Sequence, residues 1–368
     1  MPYTWYKLTF VLQYQDFKEL VSIHGFYDAW PAFYNAGGFL VLPTTALGQN
    51  YVAVGYSPDP GNILNIHYAE FAVSAIEDNT TVSIVSLKEQ TEFKICLKQF
   101  ESYQFVADQA NITDVTGMLI NADKTVSVMS GHQAAIIPSD YPSQLAFNYI
   151  MENIPPISTL GQHYILASFL GRTSGFVYRV IATSSGVTNV TISGVNVSLS
   201  TGEFYEGNSV RSDEVITVLA DKPIMVSQYA KAYGTDNVGD SCMVVLPSIQ
   251  AFYHNHDNVT FPVARLLRFP QFNFISITSE CDNIDSFYLD GLPLSIDNIS
   301  VLQTFDGAFC VLRTNVTVLR MAVPTRFHSV THPTASFLVI VYGFSEWGSY
   351  GYVAAYNVGL NIENSVFY

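Results

Sequence analysis

Apolar and polar positions along this chain alternate with a period of two, and stretches with the helical period are scarce. Tyr51–Tyr56, Phe71–Ile76, Thr81–Ser86, Val126–Met129, Tyr164–Phe169, Val177–Thr183, Val190–Ser193, Val215–Leu219, Ile224–Tyr229, Phe274–Thr278, Thr317–Val323 and Ser336–Tyr342 are short runs rich in Val, Ile, Thr, Tyr and Phe, the residues that fit a pleated surface. Turn clusters such as Glu77-Asp78-Asn79, Ser185-Gly186 and Asp290-Gly291 separate them. Short strands at short, regular spacing predict an all-β fold built of antiparallel β-sandwich or jelly-roll-like units. Val126-Ser127-Val128 alternates, so one face is expected to be buried, whereas Ile224-Met225-Val226 is apolar throughout and reads as a central strand covered on both faces.

The pattern also repeats. Ala122-Asp123-Lys124 returns as Ala220-Asp221-Lys222, Leu47-Gly48-Gln49-Asn50-Tyr51 as Leu160-Gly161-Gln162-His163-Tyr164, Thr80-Thr81-Val82-Ser83-Ile84 as Thr188-Asn189-Val190-Thr191-Ile192, and Glu101-Ser102-Tyr103 as Glu203-Phe204-Tyr205. The offset shrinks from 113 to 98 residues along the unit, as loop-length differences between strands would make it do. A fainter third copy starts at Leu246-Pro247, passes through Phe287-Tyr288-Leu289-Asp290-Gly291 and closes with Phe337–Tyr342. The expected organisation is tandem β units at residues 43–150, 151–245 and 246–368, with residues 1–42 as the truncated end of a preceding β unit. Ala-Asp-Lys followed by Pro223 or Thr125 reads as a turn, so the repetition is structural first.

Charge narrows the function classes. The 16 Lys+Arg against 31 Asp+Glu give a net charge of −15 with no basic cluster, which excludes nucleic acid and anionic membranes as natural partners. No apolar run has the ~18 residues of a membrane helix, and residues 1–17 lack the apolar core and cleavage site of a signal peptide. Either the protein stays inside the cell, or the true start is missing and the N-terminus is incomplete.

Candidate chemistry is sparse. Asn-x-Ser/Thr triplets occur at Asn79, Asn111, Asn189, Asn196, Asn258, Asn298 and Asn315, as potential N-glycosylation sites of a secreted chain. The four cysteines form no CxxC; Cys281 and Cys310 either pair in an oxidising compartment or stay as buried thiols. A separation beyond ~7 Å between their Cα atoms would favour a non-secreted chain. His254 and His256 share a face of an extended segment, as metal ligands would, and Asp236 with Asp240 could offer oxygens to calcium; neither set has a ligand spacing that completes a site. Ser130-Gly131-His132 lacks the helix of a nucleophile elbow and Asp290-Gly291 reads as a hairpin, so no catalytic residue and no cofactor are expected. Phe344–Tyr352 is an aromatic loop, either a binding anchor or a structural element.

Read together, the stretches GGFLVLPTTALGQNYVAVGY (37–56), DVTGMLINADKTVSVMSGH (114–132), ENIPPISTLGQHYILASF (152–169), GEFYE (202–206), ADKPIMVSQY (220–229), GDSCMVVLPSIQ (239–250), YLDG (288–291) and VIVYGFSEWGSYGY (339–352) resemble, in order, the N-terminal domain of the IgG Fc-binding protein family. Family members carry a cysteine just after the Gly-His and another shortly before the Pro-Pro; here Gln133-Ala134 and the segment Leu145 to Met151 have none, so that bridge is lost as a pair. The resemblance implies a secreted, extracellular, non-enzymatic binding or structural module of a mucus- or surface-associated glycoprotein, in contact with extracellular proteins or glycans such as mucin-like or immune molecules. The competing expectation is a carbohydrate-binding or glycan-active sandwich, which would need two close carboxylates in an aromatic cleft.

Overall fold

The computed structural model describes residues 6–12, 23–29, 35–57, 68–107, 114–139, 147–253, 258–263, 272–294, 299–316, 327–346 and 348–357. The expected strand Thr317–Val323 and residues Asn111, His254, His256 and Asn298 lie outside them. Nearly every element is an antiparallel strand. β1 (Tyr6–Leu12), β2 (Ile23–Ala29) and β3 (Asn35–Val41) form one sheet in that order.

Unit 1 contains β4 (Gly48–Val52), β5 (Ala69–Ala75), β6 (Thr80–Ser86), β7 (Thr91–Leu97), β8 (Ser102–Val106), β9 (Leu119–Ala135) and β10 (Asn148–Asn153). Unit 2 contains β11 (His163–Ala167), β12 (Phe176–Ala182), β13 (Val187–Ile192), β14 (Val195–Ser200), β15 (Phe204–Ser209), β16 (Val215–Ala220), β17 (Ile224–Ala230) and β18 (Cys242–Leu246). Unit 3 contains β19 (Val259–Pro262), β20 (Phe272–Glu280), β21 (Tyr288–Leu289), β22 (Leu292–Pro293), β23 (Ser300–Gln303), β24 (Phe309–Asn315), β25 (Phe327–Thr331), β26 (Leu338–Phe344) and β27 (Ser349–Val353).

The pairings in the three units correspond. The outer sheets run β4-β9-β6-β7, β11-β16-β13-β14 and β19-β25-β21-β22; the inner sheets run β8-β5-β9-β10, β15-β12-β17-β18 and β24-β20-β26-β27, with β23 added beside β24. In unit 1 one long strand, β9, serves both sheets, bending after Ala122-Asp123-Lys124. In unit 2 the same path is cut into β16 and β17 at Pro223, which has no N–H for a ladder. The expected boundary at 150/151 falls inside β10, and that at 245/246 falls before the last residue of β18.

The central strands of the inner sheets in units 2 and 3 are buried on both faces because each lies between two cores. In β17, Ile224 and Val226 join the core of unit 2, whereas Met225 and Tyr229 join that of unit 1. In β26, Leu338, Ile340 and Tyr342 face unit 2, whereas Val339 and Val341 face unit 3. This is the physical reason for the uninterrupted apolar runs. The closing strands meet around one axis: β3 packs against β10 and β27, and β18 against the same two. Asn148 sits there, fully buried. Its Oδ1 accepts Ala36 N (3.1 Å) and its Nδ2 donates to Ala36 O (2.8 Å), Ser241 O (2.7 Å) and Ser349 O (3.1 Å). His24 of β2 bonds Ala354 O, and burial pushes its imidazole down to about 4.

Candidate functional site

The repeated motifs prove to be two halves of one turn lock. Tyr51 Oη accepts Gly48 N (2.8 Å) and donates to Val126 O (2.6 Å); Tyr164 Oη does the same with Gly161 N (3.2 Å) and Ile224 O (2.6 Å). Gln49 and Gln162 donate to the carbonyls of Asp123 and Asp221. Those two carboxylates accept the backbone N–H of Thr81 and Asn189, and Lys124 and Lys222 reach the carbonyls of Asp78 and Ser185. Glu101 and Glu203 close the following turn on Lys98 N and Ser200 N. The side chains most conspicuous in the sequence are thus committed to backbone groups, as buried and turn amides require. Burial pushes the Tyr51 phenol up to about 12, offsetting the pull of its Gly48 hydrogen bond.

Other singled-out residues are also structural. Asp290 accepts Ser329 N and meets His328 Nδ1 at 2.9 Å, which fixes the β21–β22 hairpin. His132 lies in β9, buried, with Nδ1 accepting Ala134 N. Phe344, Tyr350 and Tyr352 of the aromatic loop are buried in β26 and β27, so these three rings are core rather than anchor. The two acids considered for calcium have other uses. Asp236 grips Arg172 at 2.8 and 2.9 Å and caps Thr173 and Ser174. Burial alone would raise its carboxyl, but the Arg172 hydrogen bonds and charge hold it below the ordinary range. Asp240 is buried, accepts Ser241 N, and is pushed up to about 7 by burial. Among the described residues no group of three or more His, Cys, Asp or Glu is placed to hold a metal. Cys281 and Cys310 form a disulfide with Cα atoms 4.8 Å apart, while Cys96 is exposed and Cys242 buried.

The sequence reading missed the ion cluster where units 1 and 2 meet. Arg179, in the middle of β12, donates to Asp114 (2.7 Å), Glu206 (2.8 Å), Thr116 (2.7 Å) and Gly55 O (3.2 Å). Its guanidinium lies 4.5 Å from the Tyr56 ring centroid and 4.4 Å from that of Phe204. Burial would lower Arg179, but Asp114, Tyr229 and Glu206 raise it; burial would raise Asp114, but the Arg179 charge and the hydrogen bonds from Thr116 and Ser57 together hold it low. Two close acids among aromatic rings are what the glycan-active expectation asked for. Here, however, the arginine, 1% exposed, stands between them and is bonded to both, so the pair is neutralised: Asp114 is held inside and Glu206 stands exposed at the edge. The available signal was Phe-Val-Tyr-Arg-Val-Ile-Ala, a charge inside an otherwise apolar strand. A cavity lined by Pro155, Leu160, Tyr164, Val245 and Tyr356 holds about 10 Å³, room for a water at most.

The outside offers more. Phe100 is 74% exposed and Phe305 fully so, in the turns that lead into β8 and β24. Phe100 adopts φ 62°, where its counterpart in unit 2 is Gly202 at φ 77°. Gly202 packs so closely on Gly117 of unit 1 that a Cβ on Gly117 would come within 1.9 Å of Gly202 O. A phenylalanine held in the left-handed region and exposed to water carries two costs that its own fold does not repay. Of the described sequon asparagines, Asn79, Asn189, Asn196 and Asn258 are exposed and Asn315 is half-buried. Asn79 stands in a turn at φ 54°.

A profile described as IgGFc binding protein matches residues 37–343. No curated protein matches. Two variants of the major pilin of Streptococcus pyogenes align over 83% of this chain and 98% of theirs at 8% identity, with TM-scores of 0.18 and 0.17, too low to carry an argument.

Proposed function

The chain belongs to the IgGFc-binding protein family, and from that premise we propose that it is a non-enzymatic extracellular module, part of a mucus- or surface-associated glycoprotein, that works by surface contact with proteins or glycans. The observation that carries this reading is the contrast between the Arg179 cluster, whose charges answer one another inside the protein, and Phe100 and Phe305, the two most exposed rings among the described residues. Aromatic side chains bury much area at small entropic cost and serve as interface anchors. Immunoglobulin Fc is the first partner to test, with mucin-like glycoproteins second. Residues 1–42 are read as the end of a preceding β unit, a reading supported by β3, which packs against β10 and β27 as β18 does. The exposed sequons fit the secretory route.

The test is binding of the purified chain to immobilised Fc and mucin, compared with Phe100→Ser and Phe305→Ser. Loss of tenfold or more in affinity for one partner is expected, with unfolding unchanged. Undiminished binding by both variants would overturn the assignment of these anchors, and release of sugar from mucin would overturn the non-enzymatic reading.

A further inference from the structure

The hairpin β13–β14 carries two sequons on antiparallel strands, Asn189-Val190-Thr191 and Asn196-Val197-Ser198. The register pairs Asn189 with Ser198 and Thr191 with Asn196, so each asparagine stands opposite the hydroxyl residue of the other triplet. Ser198 Oγ donates to Asn189 Oδ1 at 2.9 Å, and Thr191 Oγ1 donates to Asn196 Oδ1 at 2.8 Å. Both asparagines are exposed on one face of the outer sheet, while Val190 and Leu199 point into the core. As diagonal neighbours their Cα atoms are about 7–8 Å apart.

The two amides differ in one respect. Asn189 Nδ2 donates to Asp221 Oδ2 at 2.8 Å, in the bend whose other carboxylate oxygen holds Asn189 N. Asn196 Nδ2 has no partner among the described residues. We propose that this hairpin bears a single N-linked glycan, on Asn196, and that Asn189 stays unmodified in the folded protein. This rests on the secretory reading above. In the transfer, Asn196 Nδ2 forms a bond to C1 of a polyprenyl-diphosphate-linked oligosaccharide; the C1–O bond to the diphosphate breaks, and the amide proton is lost as the diphosphate leaves. Both triplets are open to transfer in the extended chain. Folding then discriminates: a sugar on Asn189 replaces a hydrogen at the amide that closes the Asp221 bend, and two sugars would crowd one sheet face. Asn196 lies on the edge strand, with its amide free to carry the sugar outward.

The experiment is expression of the full chain in animal cells, followed by site-by-site glycopeptide mass spectrometry of the secreted protein. The expected result is sugar on Asn196 and none on Asn189 within the same peptide. Ser198→Ala should abolish it, and Asn189→Gln should leave it in place on the molecules that are secreted. Predominant sugar on Asn189, or both sites filled on one molecule, overturns the proposal. Sugar at Asn79 or Asn258 with none on the hairpin overturns this proposal alone. Sugar at no sequon overturns the secretory reading and this one with it.

Discussion

The junction between units 1 and 2 and that between units 2 and 3 present the same carbonyl to an arginine and solve its burial differently. Gly55 O receives Arg179 from β12, and Ser168 O receives Arg313 (2.7 Å) from β24. Arg179 is flanked by Asp114 and Glu206. Arg313 has no carboxylate: its other partners are Ser212 O and Ser300 Oγ, and its Nε has none among the described residues. Burial accordingly lowers the Arg313 guanidinium, although Tyr342 and Asp213 pull the other way. What holds the second junction is aromatic. Tyr342 stacks on Phe274 at 5.6 Å, meets Phe169 edge-on at 5.0 Å, and accepts Leu170 N. Equivalent places in a repeated fold therefore need not share a chemistry, provided each buried group is answered locally.

Arg179→Met should have the largest effect, a loss of about 3–5 kcal/mol in unfolding by urea, because it strands Asp114 inside the protein. Adding Asp114→Asn should restore part of it, and a cost under about 1 kcal/mol would break the comparison.

The two junctions should answer pH with opposite signs. The folded Asp114 carboxyl lies below its unfolded value near 4, so its stabilisation is complete above that pH and disappears as pH falls through the folded value. Asp240, beside Ser349 of unit 3, is raised to about 7, so it favours folding when protonated, and stability falls by up to about 4 kcal/mol as pH rises from 4 to 7. Unfolding free energies across pH 3–8 check both: Asp240→Asn should flatten the upper limb and Asp114→Asn the acid limb.

Arg313→Met should cost less than Arg179→Met, about 1–3 kcal/mol, the price of unpaired carbonyls at Ser168 and Ser212. An equal cost would show that the carboxylates at the first junction contribute little. Smallest of all, Phe100→Gly should raise stability by up to about 1 kcal/mol by relieving the left-handed phenylalanine, read as a shift in midpoint without a change in slope.

The parts legible in the sequence were local. Leu-Gly-Gln-x-Tyr and Ala-Asp-Lys announce turns because their bonds close over nearby backbone, and their repetition marks where the same turn lock recurs before any pairing is known. The apolar run Ile224-Met225-Val226 foretold a strand with two covered faces, although not that the second face belongs to unit 1. The Arg179 cluster stayed hidden because its partners come from 65 and 27 residues away and no spacing rule links them. Asp236 could be named only as a weak cation candidate because Arg172 is brought to it by the tertiary fold alone. The aromatic loop stayed open between anchor and structural element for the same reason: Tyr350 and Tyr352 become core only where β27 pairs with β26 and faces the axis.

Asn148 has a consequence for how such a chain could evolve. One unit supplies the amide that answers carbonyls from the other two and from β3. The three units are therefore not interchangeable at this point, and a chain with their order shuffled would place this amide opposite the wrong neighbours.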